Sequence, residues 1–106
     1  MSQIAFDRYY RYADFTKLIH DFEKEFPDLV EVSSIGKSHE GKDIWLVTVT
    51  NSKTGPAEDK PAFWCDGNIH ATEVSAGTAI LHLINKLCTQ FKKDEKITHV
   101  LDSRAF

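Results

Sequence analysis

The run Asp43 to Asn51, DIWLVTVTN, constrains the fold more than any other stretch of the chain. Its interior is built of β-branched and aromatic residues, which suit a pleated strand. Ile44, Trp45, Leu46, Val47 and Val49 put apolar side chains on both of its faces. A strand that is apolar on both faces needs a covering layer on each side, so it is expected to be a central strand between helices.

The helices to supply those layers are legible on either side. Phe15, Leu18, Ile19, Phe22 and Phe26 recur with helical spacing and predict a helix over 14–26, with Asp14 as its N-cap and Pro27 at its end. A second stripe, Ile80, Leu83, Ile84, Leu87, Cys88 and Phe91, predicts a longer helix over 73–91. The charged break KKDEK precedes a last, weaker helix over 97–103.

Between the first helix and the central run, residues 29–35 read as a strand. The turn-rich IGKSHEGKD with Gly36 and Gly41 would join the two as an antiparallel pair. NSKTGPAEDKP carries loop punctuation and reads as a surface connection, and AFWCDG as a short buried strand over 62–66. The order is α, β, β, β, α, α, and the predicted class is α/β, a mixed sheet flanked by helices.

Several function classes are excluded. A net charge of −3 and the lack of any Lys/Arg cluster beyond two residues give no basic footprint for nucleic acid. No stretch approaches the ~20 apolar residues of a membrane span, so no membrane partner is expected. The start, MSQIAFDRYYRYADF, lacks the apolar run and cleavage site of a signal peptide, and the expected location is cytoplasmic. Gly36-Lys37-Ser38 hints at a phosphate loop, but that motif needs a glycine five residues before the Gly-Lys pair, where Glu31 stands. Cys65 and Cys88 make neither a disulfide framework nor a cysteine-rich zinc site, and both are read as buried free thiols.

The chemistry concentrates in CDGNIHATE, residues 65–73, between a strand and the start of a helix. Ligands of open α/β sheets bind outside the carboxyl ends of the strands. His70 and Glu73 stand three apart, and an imidazole nitrogen with a carboxylate oxygen suits zinc at ~2.0–2.2 Å. That spacing is common by chance. The bland alternative makes Glu73 a favourable charge in the first turn of its helix and His70 a capping or solvated side chain.

Three ordered blocks resemble the zinc carboxypeptidase family. They are FPDLVEVSSIGKSHEGKDIWLVTVT, the block FWCDGNIHATEV with its Gly-x-x-His-x-x-Glu signature, and the helix and tail ending LDSRAF. The resemblance implies that residues 1–106 are the N-terminal part of a catalytic domain with a mixed eight-stranded sheet, hydrolysing the C-terminal bond of a peptide substrate. It implies that His70 and Glu73 are the first two zinc ligands. It puts the third ligand, the general base and the substrate-carboxylate residues beyond Phe106, so no catalytic residue is assigned here. His99, His20, His39 and His82 match no family motif and are read as surface or packing histidines.

Many members of that family carry Arg two residues after the first ligand, whereas this chain has Thr72. This opens the alternatives of a hydrolase of modified amino acids or cell-wall peptides, or of a non-catalytic binding module on the same fold. The chain is expected to be inactive alone and to self-associate through exposed sheet edges.

Overall fold

The computed structural model describes residues 4–70 and 72–106. Its elements are α1 (Tyr12–Glu25), β1 (Val30–Lys37), β2 (Asp43–Val49), α2 (Val74–Gln90) and α3 (Glu95–Ser103), with short 3-10 turns at Ser52–Thr54 and Ala57–Asp59. The α/β class holds, and the long connection over 51–61 is the surface segment its composition predicts.

Helix α1 starts before the expected Asp14. The N-cap position falls to Arg11, which makes no side-chain cap, and Asp14 sits inside the first turn, where its negative charge favours the helix N-terminus. The helix buries Leu18, Ile19 and Phe22, three of the residues in the predicted stripe. It ends as Phe26 N–H closes on the Phe22 carbonyl at 2.8 Å, just ahead of Pro27. Glu23 then ties it to the sheet by accepting the Val32 N–H at 2.7 Å.

Strands β1 and β2 pair antiparallel, from Val30 opposite Val49 to Lys37 opposite Asp43, with a register shift between Ser34 and Lys37. The hairpin closes through Gly41, whose φ of 81° lies in the left-handed region that glycine enters without steric cost. At its turn end Asp43 accepts from Ser34 Oγ at 2.8 Å and meets Lys37 Nζ at 2.7 Å. The Lys37 contact first, and the Ser34 hydrogen bond second, hold the Asp43 carboxyl below its ordinary range.

Two sequence expectations are corrected here. Strand β2 is not a central strand: among the described residues its one strand neighbour is β1, in a two-stranded sheet, and Ile44 is exposed. Residues 62–66 do not form a buried strand. Among the described residues they have one parallel bridge, Ala62 to Ala105, and Phe63, Trp64 and Cys65 are exposed. Both failures have one cause. Apolar runs of this kind become buried strands only when a neighbouring strand supplies ladder partners, and here the space between β2 and 62–66 is bridged at one end alone. Val49 and Phe106 exchange both backbone hydrogen bonds at 2.9 Å, and Phe63 N–H reaches the Ala105 carbonyl at 2.9 Å. An apolar cleft of about 300 Å³ lies beside them, lined by Trp45, Val47, Trp64, Ile80 and Ile84 among others.

Helix α3 begins two residues earlier than expected, because Asp94 within the charged break is a true N-cap. Its Oδ1 accepts the N–H groups of Lys96 and Ile97 at 2.9 and 3.2 Å. The end of the helix is docked to β2 by Thr50, whose Oγ1 donates toward the carbonyls of Leu101 and Arg104 at 3.0 and 2.6 Å. Lys60 Nζ caps the same corner on Asn51 O at 2.8 Å. The core runs through all these elements, with Phe22, Leu81, Leu101 and Val49 the largest fully buried side chains.

Candidate metal centre

The loop from residue 66 leads from the exposed 62–66 segment to the head of α2. Gly67 lies hard against that helix: a Cβ there would meet Ile80 Cδ1 at 2.8 Å and Ala76 Cβ at 3.0 Å. Asn68 then reverses the chain with φ of 61°, a left-handed conformation that Asn adopts more readily than most residues. Its side-chain oxygen accepts the Gly77 N–H at 3.0 Å. Glu73 N–H closes a turn on the His70 carbonyl at 3.0 Å.

This turn brings the two predicted side chains together. His70 Nδ1 and a Glu73 carboxylate oxygen are in hydrogen-bond contact. Both are open to solvent, with side-chain exposures of 76% and 45%. Glu73 is the N-cap residue of α2 but makes no side-chain cap. Its negative charge still stands at the positive end of the helix dipole. The bland and metal-binding readings therefore share one geometry: a charge suited to the helix terminus, aimed at an imidazole rather than at the helix amides.

The donor set suits zinc, which takes imidazole nitrogen and carboxylate oxygen. It supplies two ligands. Among the described residues no group of three or more His, Cys, Asp or Glu side chains could hold a metal ion. The other histidines have separate uses or none. His20 Nδ1–H donates to the Thr16 carbonyl at 2.7 Å, and its ring packs edge-on to Trp45. His82 packs edge-on against Phe6. His39 and His99 are exposed. Thr72, between the two candidate ligands, is exposed as well.

Within CDGNIHATE the sequence reading gives Asn68 no role, and it does not single out Gly77. The signal was present in Gly67-Asn68, a pair common in tight reversals. The partner of Asn68 was not legible, because nothing local marks an amide nine residues ahead.

Comparison with known proteins follows the same residues. A family model described as zinc carboxypeptidase matches residues 15–106. Mouse (Mus musculus) carboxypeptidase M is 28% identical over 96 residues, 91% of this chain and 22% of that protein. Arabidopsis thaliana carboxypeptidase SOL1 is 35% identical over 81 residues, 76% of this chain and 16% of that protein. The chain thus spans about a fifth of the length of these relatives. The crystal structure of thrombin activatable fibrinolysis inhibitor superposes with a TM-score of 0.86 at 24% identity, covering 99% of this chain and 25% of that one.

Proposed function

This chain belongs to the zinc carboxypeptidase family, and from that premise we propose that it supplies the first two metal-binding side chains, His70 and Glu73, of a zinc-dependent hydrolase acting at the C-terminal end of peptides. The observation that carries the reading is the convergence of His70 Nδ1 and the Glu73 carboxylate at the head of α2.

Zinc bound at such a site polarises a carbonyl and lowers the pKa of bound water toward ~7. The residues of this chain have three tasks there. His70 offers a neutral nitrogen donor, Glu73 offers a carboxylate whose charge offsets the cation, and the loop over 66–73 holds both on one side of the helix terminus. Ligation through Nδ1 requires the hydrogen between them to leave that nitrogen, which a neutral imidazole does by taking the Nε2–H tautomer. Thr72 leaves the intervening position without a cation, which widens the proposed substrate class to modified amino acids and cell-wall peptides. The uncovered edge of β2, flanked by exposed Phe63 and Trp64, supports self-association of the isolated chain.

Calorimetric titration with zinc at neutral pH tests the pair. Weak one-to-one binding, abolished by His70→Ala and by Glu73→Ala, is expected, since complete sites use three or four protein ligands. Tight binding that survives His70→Ala would place the metal elsewhere.

A further inference from the structure

Short polar side chains, Ser, Thr, Asp and Asn, ordinarily hold a helix N-cap by accepting an amide of the first turn. Glu73 occupies that position on α2 and makes no such bond; it faces His70 instead. From outside the helix, Asn68 Oδ1 accepts the N–H of Gly77, the fourth residue of α2, at 3.0 Å and ties the loop to the helix.

Asn68 is an exposed residue whose carboxamide lies against α2. A Cβ on Gly77 would lie 2.7 Å from Asn68 Nδ2 and 2.5 Å from Phe15 Cζ, so the carboxamide and the ring fill the space a side chain would take. Gly67, one residue before, is pressed against Ala76 and Ile80 in the same way. The backbone of Asn68 is left-handed, and its carboxamide reaches the helix at the Gly77 amide.

We propose that Asn68 is a positioning residue for the His70–Glu73 pair. Its carboxamide ties the loop to the first turns of α2, and its left-handed backbone fixes the turn that sets where the imidazole stands beside Glu73. Without that tie the loop carrying His70 is no longer held against α2, and the imidazole is free to leave the Glu73 carboxylate. The purpose of this arrangement rests on the metal-ligand reading above; the arrangement itself exists in the metal-free chain.

The test separates backbone from acceptor. Asn68→Gly keeps the left-handed conformation and removes the acceptor, while Asn68→Asp keeps an acceptor in a residue that also tolerates that conformation. In the metal-free chain, nuclear Overhauser contacts between His70 and Glu73 and the exchange rate of the Gly77 amide are measured first. Asn68→Gly should lose the contact and speed the exchange, and Asn68→Asp should retain both. Zinc titration by NMR follows, with an expected loss of about 10–100-fold in affinity for Asn68→Gly, the usual effect of removing an outer support of a ligand, and near-native affinity for Asn68→Asp. An intact His70–Glu73 contact in Asn68→Gly, or its loss in Asn68→Asp, overturns the positioning role. Should Asn68→Gly fail to fold, Asn68→Asp and the protection of the Gly77 amide in the parent chain decide alone: loss of the contact in Asn68→Asp, or an unprotected parent amide, overturns the role. If the contact depends on Asn68 while the parent chain binds no zinc, positioning stands and the metal reading fails.

Discussion

Trp45 Nε1–H donates to Thr16 Oγ1 at 3.0 Å across 29 residues of sequence, fastening α1 to the middle of β2. The His20 ring, one turn further along α1, packs edge-on to the same indole with centroids 5.0 Å apart. Thr16→Val keeps the shape and removes the acceptor, leaving a half-buried indole N–H without its partner. A loss of about 1 kcal/mol is expected, in line with a net hydrogen bond and part of a desolvation cost. Chemical denaturation checks it: the midpoint should fall with the slope unchanged.

Gly77→Ala sets two effects against each other. Ala in place of a helical Gly gains up to about 1 kcal/mol of helix propensity. The added Cβ would lie 2.5 Å from Phe15 Cζ and 2.7 Å from Asn68 Nδ2, and overpacking of this kind costs about 1–3 kcal/mol. The clash should win, because one of its partners is a ring held between helices. A lower melting temperature is the expected result, and a higher one would mean that Phe15 and Asn68 yield freely.

The two cysteines should differ sharply in reactivity. Cys65 is exposed, against the expectation from its apolar neighbours, and Cys88 is buried as expected. Burial, with a smaller contribution from the charge of Glu25, pushes the Cys88 thiol up to about 12. The thiolate is the reactive form. Iodoacetamide at mildly alkaline pH should therefore label Cys65 in the folded chain and reach Cys88 only after denaturation. The sign for stability follows from the same shift. Below the ordinary thiol range Cys88 is protonated in both states and adds no pH dependence. From there up to about 12 only the unfolded chain ionises, so stability falls as pH rises through that window. Cys88→Ala should flatten this alkaline slope.

The pattern of success in reading the sequence has a physical basis. Stripes such as Leu18, Ile19 and Phe22, or Ile84, Leu87 and Cys88, report a helix that buries one face, and periodicity alone reveals them. The antiparallel pairing of β1 with β2 is local and was legible for the same reason. Burial of Cys65 and of the far side of β2 depends on a strand neighbour, which no property of those residues encodes. At the candidate site, His70 and Glu73 were legible as a spaced donor pair. The Asn68–Gly77 contact that supports them was not, because it joins a loop to a helix through a side chain rather than through a repeated pattern.

The last prediction is that this chain releases no C-terminal amino acid from peptides, with or without added zinc. Metal-assisted hydrolysis needs a held metal, an activated water, a base and a grip on the substrate. Among the described residues only His70 and Glu73 converge as donors, and no larger ligand group is present. With side chains 76% and 45% exposed, neither is shielded from bulk water, which weakens every electrostatic contribution a site of this kind could make. Missing general-base assistance alone removes roughly 10²–10⁴-fold. Purified chain should thus give no turnover above a buffer control at zinc concentrations that saturate the His70–Glu73 pair, beside an intact family member that does. Turnover by this chain, abolished by Glu73→Ala and unaffected by His99→Ala, would mean that a complete site assembles from these residues in solution and would overturn the two-ligand reading.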